Sequence, residues 1–361
     1  MKNKIKNNDY NLIFENIIYI LCLILPASLI TGSFLSEFSV SVISLCFLIL
    51  SFKKKLYYYY NNIFSKFFLI FFLILIVCSF FSVDFLISLK KTSVYFRYWI
   101  FSLAVWYISQ SKYNFIKHLM YSFAICYSVL IVDGFYQYFF KVNLLGWPII
   151  GTRVSSLFGD ELILGSYLSR ILPIFFATVI FNKDFKKNRH YFLFFLIIFI
   201  CIEVLTYLSG ERIAFFYINL SAIFLIITMK NYKLFRSLSL VISLILILII
   251  SNFSPAVSDR MIGKTINQLG LKDQNIRAFS NEHQNHFKSA LKMFNEHKLT
   301  GIGPRMFRYN CNEEKYKITF ESCSNHPHNN YIQILSETGI LGFIFIIIII
   351  FIFSFQILKH L

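Results

Sequence analysis

Charged residues are scarce in this chain: Asp, Glu, Lys and Arg make up 15% of its 361 residues. A soluble domain carries about a quarter, so an ordinary soluble fold is excluded. Acidic residues are scarcer still, 18 against 35 basic ones, which leaves a formal charge of +17. That surplus is no nucleic-acid footprint, because the Lys and Arg residues are scattered over several loops instead of gathered on one surface. No cleavable leader is evident. Residues 1–11 are polar and basic, but the apolar run behind them is span-length and has no clear small-residue cleavage site, so it reads as a retained span. No internal repeat is visible either, and a secondary transporter would show one together with helices interrupted at midplane.

What the chain does have is apolar length. It is 57% hydrophobic, with 44 Phe, 22 Tyr and a mean hydropathy of +0.62. Runs near the length of a membrane-crossing helix recur at roughly 12–31, 34–52, 65–83, 93–110, 117–139, 162–181, 191–209, 212–229, 236–253 and 339–358. The expected fold is an all-α integral membrane protein of about ten transmembrane helices with one large outside loop. Basic residues orient it. With Lys2, Lys4 and Lys6 inside, the inside loops hold Lys53, Lys54 and Lys55; Lys112; Lys183, Lys186, Lys187 and Arg189; and Lys230, Lys233 and Arg236. Lys359 closes the C-terminus, again inside. Lys90, Lys91 and Arg97 fall outside and are the exception. Much of the positive charge is thus topology and attraction to anionic lipid. The predicted layout is nine spans in 1–253, a loop domain at 254–330, and a last helix with a short tail at 331–361.

The loop domain holds five of the eight histidines: His283, His286, His297, His326 and His328. At ~75 residues it has little capacity for a core of its own and is expected to lean on the bundle. Phe287, Ala290, Leu291 and Phe294 follow i, i+3, i+4, i+7, which predicts an amphipathic helix. It is read as a lid on the bundle in preference to a membrane-surface anchor. Five cysteines (Cys22, Cys46, Cys78, Cys126 and Cys201) lie in spans and behave there as small apolar residues. Cys311 and Cys323 lie in the loop. A disulfide is the first reading for them in an oxidising compartment, and free thiols the second. Metal ligation with His326 and His328 comes third, since C-x11-C-x2-H-x-H matches no compact zinc pattern. Neither a metal nor another cofactor is expected.

Polar residues near spans are costly unless they face partners or water. "YLSGERIAFF" places Glu211 and Arg212 at the junction of the seventh and eighth spans, with Glu203 about two turns deeper. "GTRVSSLFGDELILGSYLSRILPI" supplies Arg153, Asp160 and Glu161 outside and carries Arg170 into the sixth span. Singly, each has a plain structural explanation, such as an arginine snorkelling to head groups. Together, arginines converging on the outer face beside neutral imidazoles suit a diphosphate and a base.

"LTGIGPRMF", followed by "HPHNNYIQILSETGILGF" and a final apolar run, resembles the signature of the O-antigen ligase/polymerase superfamily. "YLSGERIAFF" is similar to that family's turn between two spans, and "RVSSLFGDELILGSYLSRILP" to its upstream outside loop. The resemblance covers about residues 150–350, and its most specific element is His328-Asn329, nine residues, then Gly339 and Gly342. It implies a metal-independent glycosyltransferase of the bacterial inner membrane, acting in lipopolysaccharide biosynthesis, with membrane lipids around it and no nucleic-acid partner. Both termini would be cytoplasmic and 254–330 periplasmic. The donor would be a glycan on undecaprenyl diphosphate. The first-choice acceptor is the lipid A–core of a ligase; the alternative is another lipid-linked repeat, as in a polymerase. A transporter, or a non-enzymatic surface-polysaccharide assembly protein, would have no need of the arginine–histidine set. By the same resemblance His328 is the essential loop histidine and Arg212 contacts the donor diphosphate; Arg153, from the arginines converging on the outer face, and His326 and Asn329, flanking His328, are counted with the substrate-binding residues. The chain departs from the family at its second loop arginine, where His283 stands before Phe287 and Ala290, leaving Arg277 or Arg305 to substitute. Many members also carry further spans after the signature.

The chemistry agrees with that assignment. A diphosphate held by Arg leaves readily, so the need is for a base on the acceptor hydroxyl, and histidine suits that task at neutral pH. His328 is preferred, His326 is the alternative, and Glu211 or Glu337 could serve instead. Tyr331, Trp147 and Tyr207 are candidates to stack on sugar rings.

Overall fold

The computed structural model describes residues 2–182, 189–269, 279–320 and 322–360. Arg277, Lys183, Lys186 and Lys187 lie outside the described residues. Within them the chain is α-helical without strands, apart from the isolated bridges Val142–Pro148 and Ile150–Arg153. Among the described residues eight helices are long and apolar enough to cross a membrane: Tyr10–Thr31, Ser33–Lys54, Ile63–Phe80, Phe115–Phe140, Leu164–Phe181, Arg189–Leu208, Lys230–Phe253 and Asn330–Lys359. The two other expected spans are the helices Phe96–Ser111, of 16 residues, and Arg212–Thr228, of 17. At 1.5 Å per residue they reach about 25 Å, short of a hydrocarbon core of about 30 Å.

The chain forms two compact units, Met1–Ile43 with Val105–Gln274, and Ser44–Ala104 with Asn275–Leu361. The first is built on aromatic packing. The ring of Phe175 lies 5.0 Å from Tyr127 and 5.7 Å from both Phe195 and Phe199. Inside it Arg236, expected in a basic inside loop, is instead fully buried and pairs with Glu203 at 2.5 Å. A charge in such a place persists only when paired. Ser243 donates to Glu203, and Arg236 also donates to Ser239 Oγ at 3.0 Å and lies 5.3 Å from the Phe199 ring.

In the second unit the helix starts follow the capping chemistry of the sequence. Asn62 accepts from the Ser65 N–H at 2.8 Å and Asp84 from the Ile87 N–H at 2.9 Å. Asn329 heads the last helix, accepting from the N–H groups of Tyr331 and Ile332 at 3.0 and 3.1 Å. That helix, Asn330–His360, is broken at Gly339, whose φ is 62° and ψ −162°. The backbone groups freed by the break are taken up by the stretch 298–303. The Ile340 and Leu341 N–H groups donate to the Lys298 and Leu299 carbonyls, and the Ile302 and Gly303 N–H groups donate to those of Ser336 and Glu337, all at 2.9–3.3 Å. A Cβ on Gly339 would lie 2.4 Å from the Leu299 carbonyl, so the left-handed backbone and the close approach both require glycine there.

The amphipathic helix is present as Asn281–Glu296, with Ser280 as its cap. Its buried face is His286, Ser289, Ala290 and Met293, one position round from the expected set, and Leu291 is 40% exposed. The small Ser289 and Ala290 let the helix pack closely, and Ala290 and Met293 join Ile302, Met306, Phe307, Cys311 and Tyr316 in a local core.

Candidate active site

Two clusters gather the candidate residues, one in each unit. The first surrounds the turn from Leu208 to Glu211. Gly210 has a φ of 68°, and a Cβ there would meet Arg260 Nε at 2.7 Å and Arg153 Cγ at 3.0 Å. The turn's carbonyls aim two guanidinium groups: Arg153 Nε donates to Ser209 O at 3.0 Å, and Arg260 Nε to Gly210 O at 3.2 Å. Arg153 Nη2 also donates to Leu162 O at 2.9 Å. Arg212 opens the next helix and reaches Thr265 Oγ1 through Nη1 at 3.5 Å. Burial pushes Arg153 below the ordinary arginine value; Arg260 adds to that, Glu211 opposes it, and Arg212 adds again.

Glu211 is fully engaged. It accepts from the Gly165 N–H at 2.7 Å and from the Ser166 N–H and hydroxyl at 3.1 and 2.6 Å, capping the helix Leu164–Phe181. The loop carrying Arg153 is fixed by buried polar groups. Asp133 accepts from the Leu144 N–H and the Ser156 hydroxyl at 2.9 and 2.7 Å, and Gln137 Oε1 accepts from the N–H groups of Ser155 and Ser156 at 2.9 and 2.7 Å.

The second cluster is a set of four imidazoles. His328 lies 4.4 Å from His326, 5.2 Å from His283 and 5.2 Å from His286, ring centroid to ring centroid, and His283 lies 6.3 Å from His286. Two come from the helix Asn281–Glu296 and two from the turn before the last helix. Buried Pro327 anchors that turn, and His328 stays exposed with a φ of 57°. Ser280 Oγ bonds His283 Nδ1 at 2.8 Å, and the Ser324 hydroxyl donates to His326 O at 2.5 Å. Partial burial, then the neighbouring His326, His283 and His286, push His328 down to about 4, which leaves its imidazole neutral at pH 7. A neutral imidazole accepts a proton.

The remaining expected residues have other tasks. The Asn329 amide oxygen is the helix cap. Arg305, with a φ of 66°, donates through Nε to the Tyr95 hydroxyl at 3.1 Å, and this bond raises it above its ordinary value. Glu337 is buried, accepting from the Phe307 N–H at 3.4 Å and the Gln333 side chain at 3.2 Å. Cys311 and Cys323 are joined by a disulfide with Cα atoms 5.0 Å apart. Tyr207 is 2% exposed and bonded to the Ser251 hydroxyl at 2.7 Å, so it is closed to a sugar, whereas Trp147 and Tyr331 are 42% and 52% exposed. Sequence reasoning passed over His286 and Arg260. The first could have been found from its H-x-x-H spacing with His283 on one helix; the second stands in no motif.

Residues 192–347 match the family model described as O-antigen ligase. No curated protein matches the chain. The matched stretch contains Arg212, Arg260, all four clustered histidines and the broken start of the last helix. Over this stretch the chain resembles the O-antigen ligase family, and the match supports a function of that general type.

Proposed function

We propose that this chain, which matches the O-antigen ligase family model over residues 192–347, is a glycosyltransferase of the ligase type. It takes a glycan from undecaprenyl diphosphate and passes it to a hydroxyl of the lipid A–core. It works in the bacterial inner membrane, with both termini cytoplasmic and 254–330 periplasmic. The observation that carries this reading is His328: an exposed, neutral imidazole at the head of the last helix, ringed by three others.

His328 takes the proton of the acceptor hydroxyl as its oxygen bonds to the anomeric carbon of the donor sugar. The bond from that carbon to the diphosphate oxygen breaks, and its electron pair leaves with the diphosphate. Arg212 stabilises the charge that develops there. The proton ends on the imidazole. The engagement of Glu211 and Glu337 favours histidine over a carboxylate as the base.

The test is transfer by the full chain in liposomes supplied with undecaprenyl-diphosphate-linked glycan and lipid A–core. Glycan joined to the core is the expected product. Lengthened lipid-linked glycan would instead make the chain a polymerase. Consumption of neither substrate would overturn the reading.

A further inference from the structure

The turn that carries His326 and His328 is held from both ends. Behind it, Asn329 caps the last helix through the Tyr331 and Ile332 N–H groups. Ahead of it, Cys323 is bonded to Cys311, and His326 and His328 stand three and five residues beyond Cys323. The Ser324 hydroxyl, next to Cys323, donates to His326 O. Cys311 is fully buried and shares a core with Ala290 and Met293, from the helix that carries His283 and His286. One covalent bond therefore ties the turn histidines to the core on which the helix histidines sit.

The ring closed by that bond lies along the same helix. Tyr316 is buried in the shared core and donates to Glu296 Oε2 at 2.5 Å, and Asn285 donates to Thr319 Oγ1 at 3.2 Å. Beyond Tyr316 the hold is slighter. Thr319 is exposed, Phe320 is 93% exposed, and the Lys292 bond to Lys317 O is long, at 3.4 Å, and open to water. Ser322 folds the return, accepting from the Ile318 N–H at 3.1 Å and donating to Thr319 O at 2.7 Å, but these bonds stay within the loop. The bond that carries the rigidity of the core on to the histidine turn is the disulfide.

We propose that Cys311 and Cys323 are positioning residues for His328: their disulfide holds the histidine turn against the helix Asn281–Glu296, and opening it lowers glycan transfer. The inference rests on His328 as the base of the proposed function, and on a periplasmic loop, where a disulfide persists. Opening the bond to two thiols takes two electrons and two protons; a dithiol such as dithiothreitol supplies both and becomes a cyclic disulfide. His328 then has no fixed place beside His283 and His286, and a misplacement of about 1 Å costs on the order of 10²-fold in rate.

The experiment is transfer by the full chain in liposomes, with undecaprenyl-diphosphate-linked glycan and lipid A–core, before and after dithiothreitol, at pH 7 and pH 5. Reduction should lower kcat at pH 7 about ten- to a hundredfold, and oxidised glutathione should restore it. The pH dependence should move as well. The groups facing His328 are His326 on its own turn and His283 and His286 on the helix. With the helix pair withdrawn, the residual transfer should be lost at pH 5, as for an isolated histidine of pKa about 6.5, whereas the oxidised chain keeps its activity there. The double variant Cys311→Ala/Cys323→Ala should match the reduced chain and be indifferent to dithiothreitol. Equal kcat and equal pH dependence in the oxidised and reduced chains overturn the inference and leave the proposed function standing. A lower melting temperature alone also overturns it, being the mark of a staple that constrains only the unfolded chain. So does a double variant that dithiothreitol inactivates further. No transfer by the oxidised chain removes the proposed function, and the catalytic claim with it.

A second measurement needs neither variant nor substrate. Diethylpyrocarbonate modification of His328, mapped by mass spectrometry across pH, reports its protonation. The midpoint should lie near 4 in the oxidised chain and close to the ordinary histidine value after reduction. One midpoint for both states overturns the tie between disulfide and histidine, whatever the transfer assay gives.

Discussion

His286 and His328 lie with ring centroids 5.2 Å apart and planes inclined by 31°. One belongs to the buried face of an amphipathic helix, the other to an exposed turn with a left-handed backbone. The contact brings the helix and the turn to one point, and it makes the state of one imidazole depend on its neighbours. Together with partial burial, the neighbouring rings hold His328 below the ordinary histidine value.

Replacing His328 by Ala is expected to lower glycan transfer by about 10²–10⁴-fold, the usual cost of losing a general base. His326→Ala should cost less. Purified variants with lipid-linked donor give the answer, with membrane insertion checked in parallel. An active His328→Ala beside an inactive His326→Ala would move the base to His326.

The pH profile has a definite sign. An isolated histidine would lose its basic form as pH falls through about 6.5, whereas His328 keeps it down to about 4. Transfer should therefore persist at pH 5.5 and fall only nearer pH 4. The same depression acts on stability. Between about 6.5 and 4 the unfolded chain binds more protons at this position than the folded one, so stability drops as pH falls through that window. Thermal unfolding of wild type and His328→Gln at pH 7 and pH 5 checks this: the wild type should lose more on acidification.

Arg212→Lys keeps the charge but loses the fork. If Arg212 binds diphosphate, transfer should fall severely. Near-normal transfer by the lysine variant would mark Arg212 as a residue that merely reaches the head groups.

Gly339→Ala should destabilise the second unit. Its φ of 62° costs a non-glycine residue about 1–3 kcal/mol, and the added Cβ meets the Leu299 carbonyl at 2.4 Å. Gly146→Ala, at a φ of 86° with open space around it, should cost only the backbone part. Detergent-solubilised thermal unfolding compares them, and equal midpoints would refute the close packing of the 298–303 stretch on the helix break.

The topology is open to direct labelling. After mild reduction, Cys323 in intact spheroplasts should react with an impermeant maleimide. Reaction only after permeabilisation would put the histidine segment on the cytoplasmic side and exclude transfer to an outer-face acceptor.

The helical membrane character of the chain is written in its apolar runs, because a bilayer leaves the backbone no option but to satisfy itself within each helix. Local chemistry was legible for the same reason. Asn329 caps the helix it precedes, and "HPHNN" stands where the last helix starts, since caps and periodicity act over four residues or fewer. Features that depend on a distant partner were not legible. The last apolar run begins at Gly339, inside a last helix read as 331–361, and only the carbonyls of Lys298 and Leu299 make a break there tolerable. Arg236 reads as a loop cation until Glu203 is found opposite it. The buried face of Asn281–Glu296 is turned towards His286 and Ser289 because small side chains allow a close approach that hydrophobicity alone does not register. Arg260 has no motif at all, and its place beside Arg153 comes from Val257 and Met261 packing into a core assembled from helices far away in the chain.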